Sequence, residues 1–114
     1  MKEDRADEPC FTISIVSKMV EMHPQTIRHY ERMGLLEPQR SDGNIRLFSM
    51  KDVERLRRIQ NFTRDMGVNL AGVEVILKLL DQIDDLKDAM EREMKDMRGK
   101  MERDMWQRER EVEE

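Results

Sequence analysis

One proline and one glycine, ten residues apart, constrain the first third of this chain more than anything else in it. Pro24 cannot lie inside a helix but suits the first position of a new one. Gly34 can take the left-handed conformation that ends a helix, with Leu35 folding back as its hydrophobic closure. Between them the spacing predicts a helix running to about Met33. Before Pro24, Ser14 is a good helix N-cap, and Ile15, Val16, Met19 and Val20 follow at helical spacing. Residues 14–36 therefore read as two short helices joined by a tight turn, a helix-turn-helix whose second helix fits the major groove of DNA.

The next signals are equally local. Asp42-Gly43 marks a turn. Ile45, Leu47 and Phe48 beyond it read as a short strand with Gln39-Arg40 as its partner, a small β-hairpin or wing. Ser49 with Asp52 three residues on forms a capping-box pattern opening a third helix. Its apolar face holds Val53, Leu56, Ile59, Gln60 and Phe62/Thr63, and Gly67 ends it. Asn69 caps a fourth helix with Leu70, Val73, Ile76, Leu77 and Leu80 facing inward.

Beyond residue 80 the pattern changes. Ile83, Leu86, Met90, Met94, Met97, Met101 and Met105 recur at steps of 3, 4, 4, 3, 4 and 4, with Val112 further on and Leu79 before. That is an eleven-residue repeat, about 3.67 residues per turn, so the stripe barely drifts along a straight helix. A helix from 83 to 112 is roughly 45 Å long. It exposes its whole apolar stripe unless a partner helix covers it, and the economical partner is the same helix of a second subunit. A nearly straight or slightly right-handed antiparallel pair is expected. No glycine or proline separates the fourth helix from this tail, so the two run on with at most a kink near residues 81–85.

Charge follows the same division. The 114 residues carry a net charge of −4, but residues 11–80 hold 11 Lys/Arg against 8 Asp/Glu, a net of +3, and residues 81–114 hold 8 against 13, a net of −5. A basic head beside an acidic tail hints at nucleic acid at one end. With aromatics at 4% and charged residues at 40%, one large core across the chain is excluded. The expected fold is mainly α: a winged helix-turn-helix head of four helices and a small β-hairpin, then a long dimerisation helix forming an antiparallel coiled coil. The expected segments are a disordered arm (1–10), a DNA-binding domain (11–80) and a coiled-coil dimerisation helix (81–114).

The single cysteine, Cys10, permits no intrachain disulfide and suits a cytosolic setting. No secretory or membrane-spanning apolar run is present in the sequence, so no membrane role is expected. No Ser-His-Asp, paired-carboxylate or phosphate-loop constellation stands out, so neither enzyme chemistry nor a cofactor is expected. His23 reads as a turn or N-cap residue, not a ligand.

The run Thr26-Ile27-Arg28-His29-Tyr30-Glu31-Arg32-Met33-Gly34-Leu35-Leu36, followed by Pro38, Arg40, Arg46-Leu47-Phe48 and Asp52-Val53-Glu54-Arg55-Leu56, resembles the MerR superfamily of bacterial transcription regulators. Met22-His23-Pro24-Gln25-Thr26-Ile27-Arg28 and Gly67-Val68-Asn69-Leu70-Ala71-Gly72-Val73 resemble its heat-shock repressor (HspR) group. The resemblance implies a cytoplasmic, nucleoid-associated repressor of chaperone genes. It would bind an inverted repeat as a homodimer, with the chaperone DnaK as co-repressor. His29 stands where the family usually has an aromatic, and the wing tip Ser41-Asp42-Gly43-Asn44 is less basic than is common. The expected DNA-contacting residues are Lys18, Gln25, Thr26, Arg28, His29, Tyr30, Arg32, Arg40, Asn44 and Arg46; for Arg28 the alternative is a salt bridge to Glu31. The expected dimerisation residues are Leu79, Ile83, Leu86, Met90, Met94, Met97, Met101 and Met105. Cysteines near the coiled coil, which metal- and redox-sensing members use, are absent from this sequence. Other functional readings are an activator of the same family that distorts promoter DNA in response to an effector, and a dimerisation or adaptor module that reads protein.

Overall fold

The computed structural model describes residues 6–113. In chain order it holds α1 (Ile13–Val20), α2 (Pro24–Arg32), β1 (Gln39–Arg40), β2 (Arg46–Leu47), α3 (Met50–Gln60), a π-helical turn (Asn61–Asp65) and α4 (Leu70–Glu113). The fold is mainly α, as the patterning implies. Two compact units divide it, one reaching to Val75 and one starting at Ile76.

In the first unit α1 packs against both α2 and α3. Val16 and Val20 of α1, Ile27 and Tyr30 of α2, and Val53, Leu56 and Ile59 of α3 are buried. The core is completed by Leu35, Leu36, Phe48 and Val73. Ile15, one of the four apolar residues read at helical spacing in α1, is 47% exposed, while Val16 and Val20 are buried. Two long side chains tie the layers through backbone carbonyls. Gln60 Nε2 donates to Val20 O at 2.7 Å, and Arg55 Nε donates to Leu35 O.

α1 begins two residues earlier than its sequence pattern suggests. Thr12, not Ser14, holds the extended cap position, with no side-chain cap bond. The cause lies upstream. Phe11 and Phe48 form an antiparallel bridge, exchanging N–H···O bonds of 2.9 and 2.7 Å, so the chain must turn into the helix directly after Phe11. The same bridge alters the expected arm. Cys10, read as part of a disordered segment, donates its N–H to Phe48 O at 3.1 Å; residues 1–5 of that segment lie outside the described residues.

The other helix ends follow the sequence closely. Pro24 is at the start of α2, and His23 caps it by accepting the Gln25 N–H. At the far end Gly34 has φ +79, its N–H donates to Glu31 O, and the Leu35 N–H returns to Tyr30 O. These two bonds make the Schellman closure that only a left-handed residue permits without strain. Ser49 and Asp52 form the full capping box of α3, and Asn69 Oδ1 accepts the Gly72 N–H of α4 at 2.8 Å.

The hairpin pairs Gln39 with Leu47 and Arg40 with Arg46. Ile45 precedes β2 and is 57% exposed, while Phe48 turns inward to meet Phe11. The tight turn falls at Asp42-Gly43, but Asn44 takes the positive φ, +61. The end of the third helical segment differs from a plain helix. Five residues widen into a π turn, where Thr63 Oγ1 donates back to Ile59 O and Gln60 O, before Gly67 (φ +66) stops the run. Such back-bonding competes with the ordinary helical ladder.

α4 passes from its capped start to Glu113 as one helix, with no break at residues 81–85. Val73 and Leu77 are buried, whereas Leu70, Ile76 and Leu80 are half-buried. From Leu79 onward the stripe residues are exposed in the single chain, at 47% for Ile83 and 63% for Met101. Among the described residues no helix is long and apolar enough to cross a membrane.

Candidate nucleic-acid interface

α2 has two faces because its apolar residues occupy only part of the turn. Ile27 and Tyr30 point inward, at 0% and 8% exposure. Gln25, His29 and Arg32 follow one another at steps of four and three and are exposed, while Thr26 and Arg28 are half-buried beside them. The outward face is therefore a polar, cationic strip. Such a strip offers side-chain amide, hydroxyl, imidazole and guanidinium groups, the types that pair with base edges and phosphates. Of the expected contact set on this helix, Tyr30 is the member whose side chain lies chiefly in the core. Lys18 on α1 is exposed.

The wing is fastened to this helix by one carboxylate. Glu31 Oε1 accepts from Arg46 Nε at 2.7 Å, and Glu31 Oε2 accepts from Arg40 Nη2 at 3.4 Å. Arg40 also donates from Nη1 to the carbonyl of Asn44 at 3.3 Å. Three of the sequence-selected residues, Arg40, Asn44 and Arg46, are thus brought together with α2 through Glu31. The Glu31 side chain is 18% exposed and that of Arg46 25%, so this contact is partly shielded, while Arg40 at 39% is more solvated. The sequence offers Glu31 as a salt-bridge partner for Arg28; its partners are instead the two wing arginines. Arg28 makes no ion pair among the described residues, which leaves its guanidinium available on the outward strip. Sequence spacing could not reveal the Glu31–Arg46 contact, because fifteen residues and a hairpin separate the pair.

Among the described residues no group of three or more His, Cys, Asp or Glu side chains is arranged to hold a metal ion. The second unit holds the other half of the expected site residues: Leu79 through Met105 share one exposed stripe of α4.

A helix-turn-helix with a polar second helix, braced by a two-stranded wing, defines a winged helix-turn-helix protein. Residues 11–80 match the MerR HTH family regulatory protein family, and the chain belongs to it. It is 41% identical over 81 residues to the Streptomyces coelicolor "Putative heat shock protein HspR", covering 71% of this chain and 54% of that protein. It is 43% identical over 77 residues to the HTH-type transcriptional regulator GlnR of Bacillus anthracis, covering 68% of this chain and 59% of that one. It is also 34% identical over 93 residues to the mercuric resistance operon regulatory protein of Pseudomonas fluorescens, covering 79% of this chain and 64% of that protein. The chain thus spans little more than half the length of the first two relatives. Its fold is shared with HiNmlR, described as a MerR family regulator lacking the sensor domain and solved bound to promoter DNA. The TM-score is 0.58 at 21% identity, covering 80% of this chain and 72% of that one. GlnR, the mercuric resistance protein and HiNmlR are regulators by name.

Proposed function

We propose that this protein is a sequence-specific DNA-binding repressor of heat-shock and chaperone genes, working in the bacterial cytoplasm at the nucleoid as a homodimer on an inverted repeat. The observation that carries the reading is the outward strip of α2, where Gln25, Thr26, Arg28, His29 and Arg32 are grouped over a buried Ile27–Tyr30 face. The 41% identity to the HspR protein supports the heat-shock assignment. In this reading α2 enters the major groove, Arg28 supplies a base or phosphate contact, and Lys18, Arg40, Asn44 and Arg46 contact the backbone or the flanking groove. Two heads joined through the α4 stripe reach successive grooves on one face of the duplex. Repression follows from blocking polymerase, and affinity falls steeply with salt as counterions are released. DnaK acts as co-repressor.

The experiment is binding to a fluorescent duplex from the host's own chaperone-operon upstream region, beside a scrambled duplex, with and without DnaK. Specific binding that DnaK strengthens is expected. Specific binding indifferent to DnaK removes the chaperone, and no preference over scrambled DNA removes the repressor assignment. A second reading, an activator that distorts promoter DNA in response to an effector, draws on the similarity to the mercuric resistance regulator. Run-off transcription separates the two, since a repressor lowers the transcript and an activator raises it.

A further inference from the structure

The apolar stripe of α4 changes chemistry along its length. Leu79, Ile83 and Leu86 open it with hydrocarbon side chains, and the next five positions, Met90, Met94, Met97, Met101 and Met105, are all methionine. Leucine forms helices about as well and specifies packing more sharply, so neither the helix nor its seam calls for five thioethers in succession. What a thioether adds is a sulfur that accepts an oxygen atom. These five residues are 54–63% exposed in the single chain. In the head Met22 is buried and Met19, Met33 and Met50 are half-buried; Met66 is the exposed exception there among the described residues. No cysteine lies in α4 to compete for an oxidant, Cys10 being the sole thiol of the sequence.

We propose that Met90, Met94, Met97, Met101 and Met105 form a modification site for two-electron, oxygen-donating oxidants such as hydrogen peroxide, and that their conversion to sulfoxides parts the dimer and releases the inverted repeat. The modification rests on the exposed thioethers, and its consequence on the dimeric reading above. In the step, the thioether sulfur attacks one peroxide oxygen, an S–O bond forms and the O–O bond breaks. Hydroxide departs and takes the proton of the S–OH group, leaving a sulfoxide and water. Sulfur is oxidised by two electrons and the peroxide is reduced by two.

Each sulfoxide sets a polar group on a face that must be apolar to pair. Even one per chain, counted twice in the dimer, should raise the dimer Kd about a hundredfold. Pairing covers the stripe, so oxidation proceeds through the dissociated helix and draws the equilibrium toward monomers by mass action. The head keeps its fold, because its core is hydrocarbon apart from the shielded Met22. A monomer still reads one half-site and loses the second. The change is reversible, since methionine sulfoxide reductases return the thioether.

The test uses the full chain carrying Cys10→Ser and Met66→Leu, which leaves the stripe as the exposed sulfur among the described residues. Samples at low and high protein concentration are treated with hydrogen peroxide. They are then followed by peptide mass spectrometry, by sedimentation, and by binding to the chaperone-operon duplex and to a duplex holding half of its repeat. Oxygen should appear on the five stripe methionines, faster in the dilute sample, and the treated chain should sediment as a monomer. Binding of the full repeat should weaken about a hundredfold as the second head is lost, while binding of the half-site stays as it was. Methionine sulfoxide reductases with dithiothreitol should restore both the dimer and full-repeat binding. With all five methionines replaced by leucine, treated and untreated protein should behave alike. Stripe methionines that resist oxidation while Met19, Met33 or Met50 react would overturn the modification site. Sulfoxides on the stripe with the dimer and repeat binding intact would overturn its consequence. Equal loss of half-site binding, or a loss that persists in the five-leucine variant, would place the damage in the head and overturn it as well. An untreated chain that sediments as a monomer would overturn the dimeric reading itself, a result separate from where the oxygen is found.

Discussion

Glu31 of the recognition helix holds Arg46 of the wing at 2.7 Å, and the same carboxylate reaches Arg40 at 3.4 Å. One acidic side chain thereby sets where the hairpin stands relative to the helix proposed to enter the groove. It also offsets part of the positive charge on that face. Glu31→Gln should lower the stability of the head by about 1 kcal/mol, because the partly shielded charge-assisted bond to Arg46 is lost while the solvated Arg40 pair contributes little. It should at the same time raise affinity for random duplex DNA, since two arginines lose their counter-charge. Melting and binding measured on one preparation check both signs. Weaker binding to random DNA would contradict the electrostatic part of the account.

The capping box of α3 is a second local device with a defined cost of removal. Ser49 is 7% exposed, its Oγ accepts the Asp52 N–H at 3.1 Å, and Asp52 Oδ2 accepts the Ser49 N–H at 2.9 Å. Ser49→Ala should cost about 1 kcal/mol, a fall in Tm of roughly 4–8 °C for a domain of this size. Calorimetry at a fixed protein concentration gives the answer, and an unchanged Tm would mean that the cap contributes nothing.

Two positions with positive φ should respond in opposite directions. Gly34 has φ +79 with open space around the site of a Cβ, so Gly34→Ala brings backbone strain without a clash, about 1 kcal/mol. Glu21 ends α1 at φ +53 carrying a side chain that this conformation disfavours. Glu21→Gly should therefore stabilise the head by about 0.5–1 kcal/mol. Denaturant midpoints of the two variants, compared with the parent at equal slope, test the pair; a shift in the same direction for both would contradict the backbone argument.

The stripe on α4 makes a prediction independent of register. Met97→Lys with Met101→Lys places two charges in the middle of the seam and should give monomers that bind an inverted repeat poorly while keeping their helical content. Sedimentation velocity with circular dichroism decides it. A double variant that remains dimeric would mean that the stripe is not the dimer seam.

Local chemistry was largely legible in the chain. The Pro24 start, the Gly34 stop, the Ser49–Asp52 box, the Asn69 cap and the Asp42-Gly43 turn each depend on residues within five positions of one another, and short-range steric and hydrogen-bond rules are enough to find them. Contacts between distant segments were not legible. The Phe11–Phe48 bridge, which moves the start of α1 to Ile13, and the Glu31–Arg46 contact, which redirects Glu31 away from Arg28, join residues whose proximity exists only after folding. The π turn at Asn61–Asp65 was hidden for a different reason. Its apolar spacing is compatible with an ordinary helix, and the widening shows only in the folded backbone, where the Met66 N–H returns to Asn61 O five residues back while the Thr63 hydroxyl bonds to Ile59 O and Gln60 O. In the candidate site Gln25, His29 and Arg32 of the expected contact set lie exposed on α2, whereas Tyr30, also expected among the contacts, is turned into the core because it shares the inner face with Ile27.

The most direct test of the central claim is a pair of binding isotherms, parent and Arg28→Ala, on a duplex carrying the inverted repeat upstream of the host's chaperone operon, with a scrambled duplex at the same salt. The account predicts that the parent prefers the repeat by about a thousandfold or more. Arg28→Ala should lose roughly 5- to 150-fold on the repeat, the range expected for one base-directed guanidinium, with melting unchanged. Parental affinity in Arg28→Ala would contradict the assignment of α2 as the DNA-reading helix.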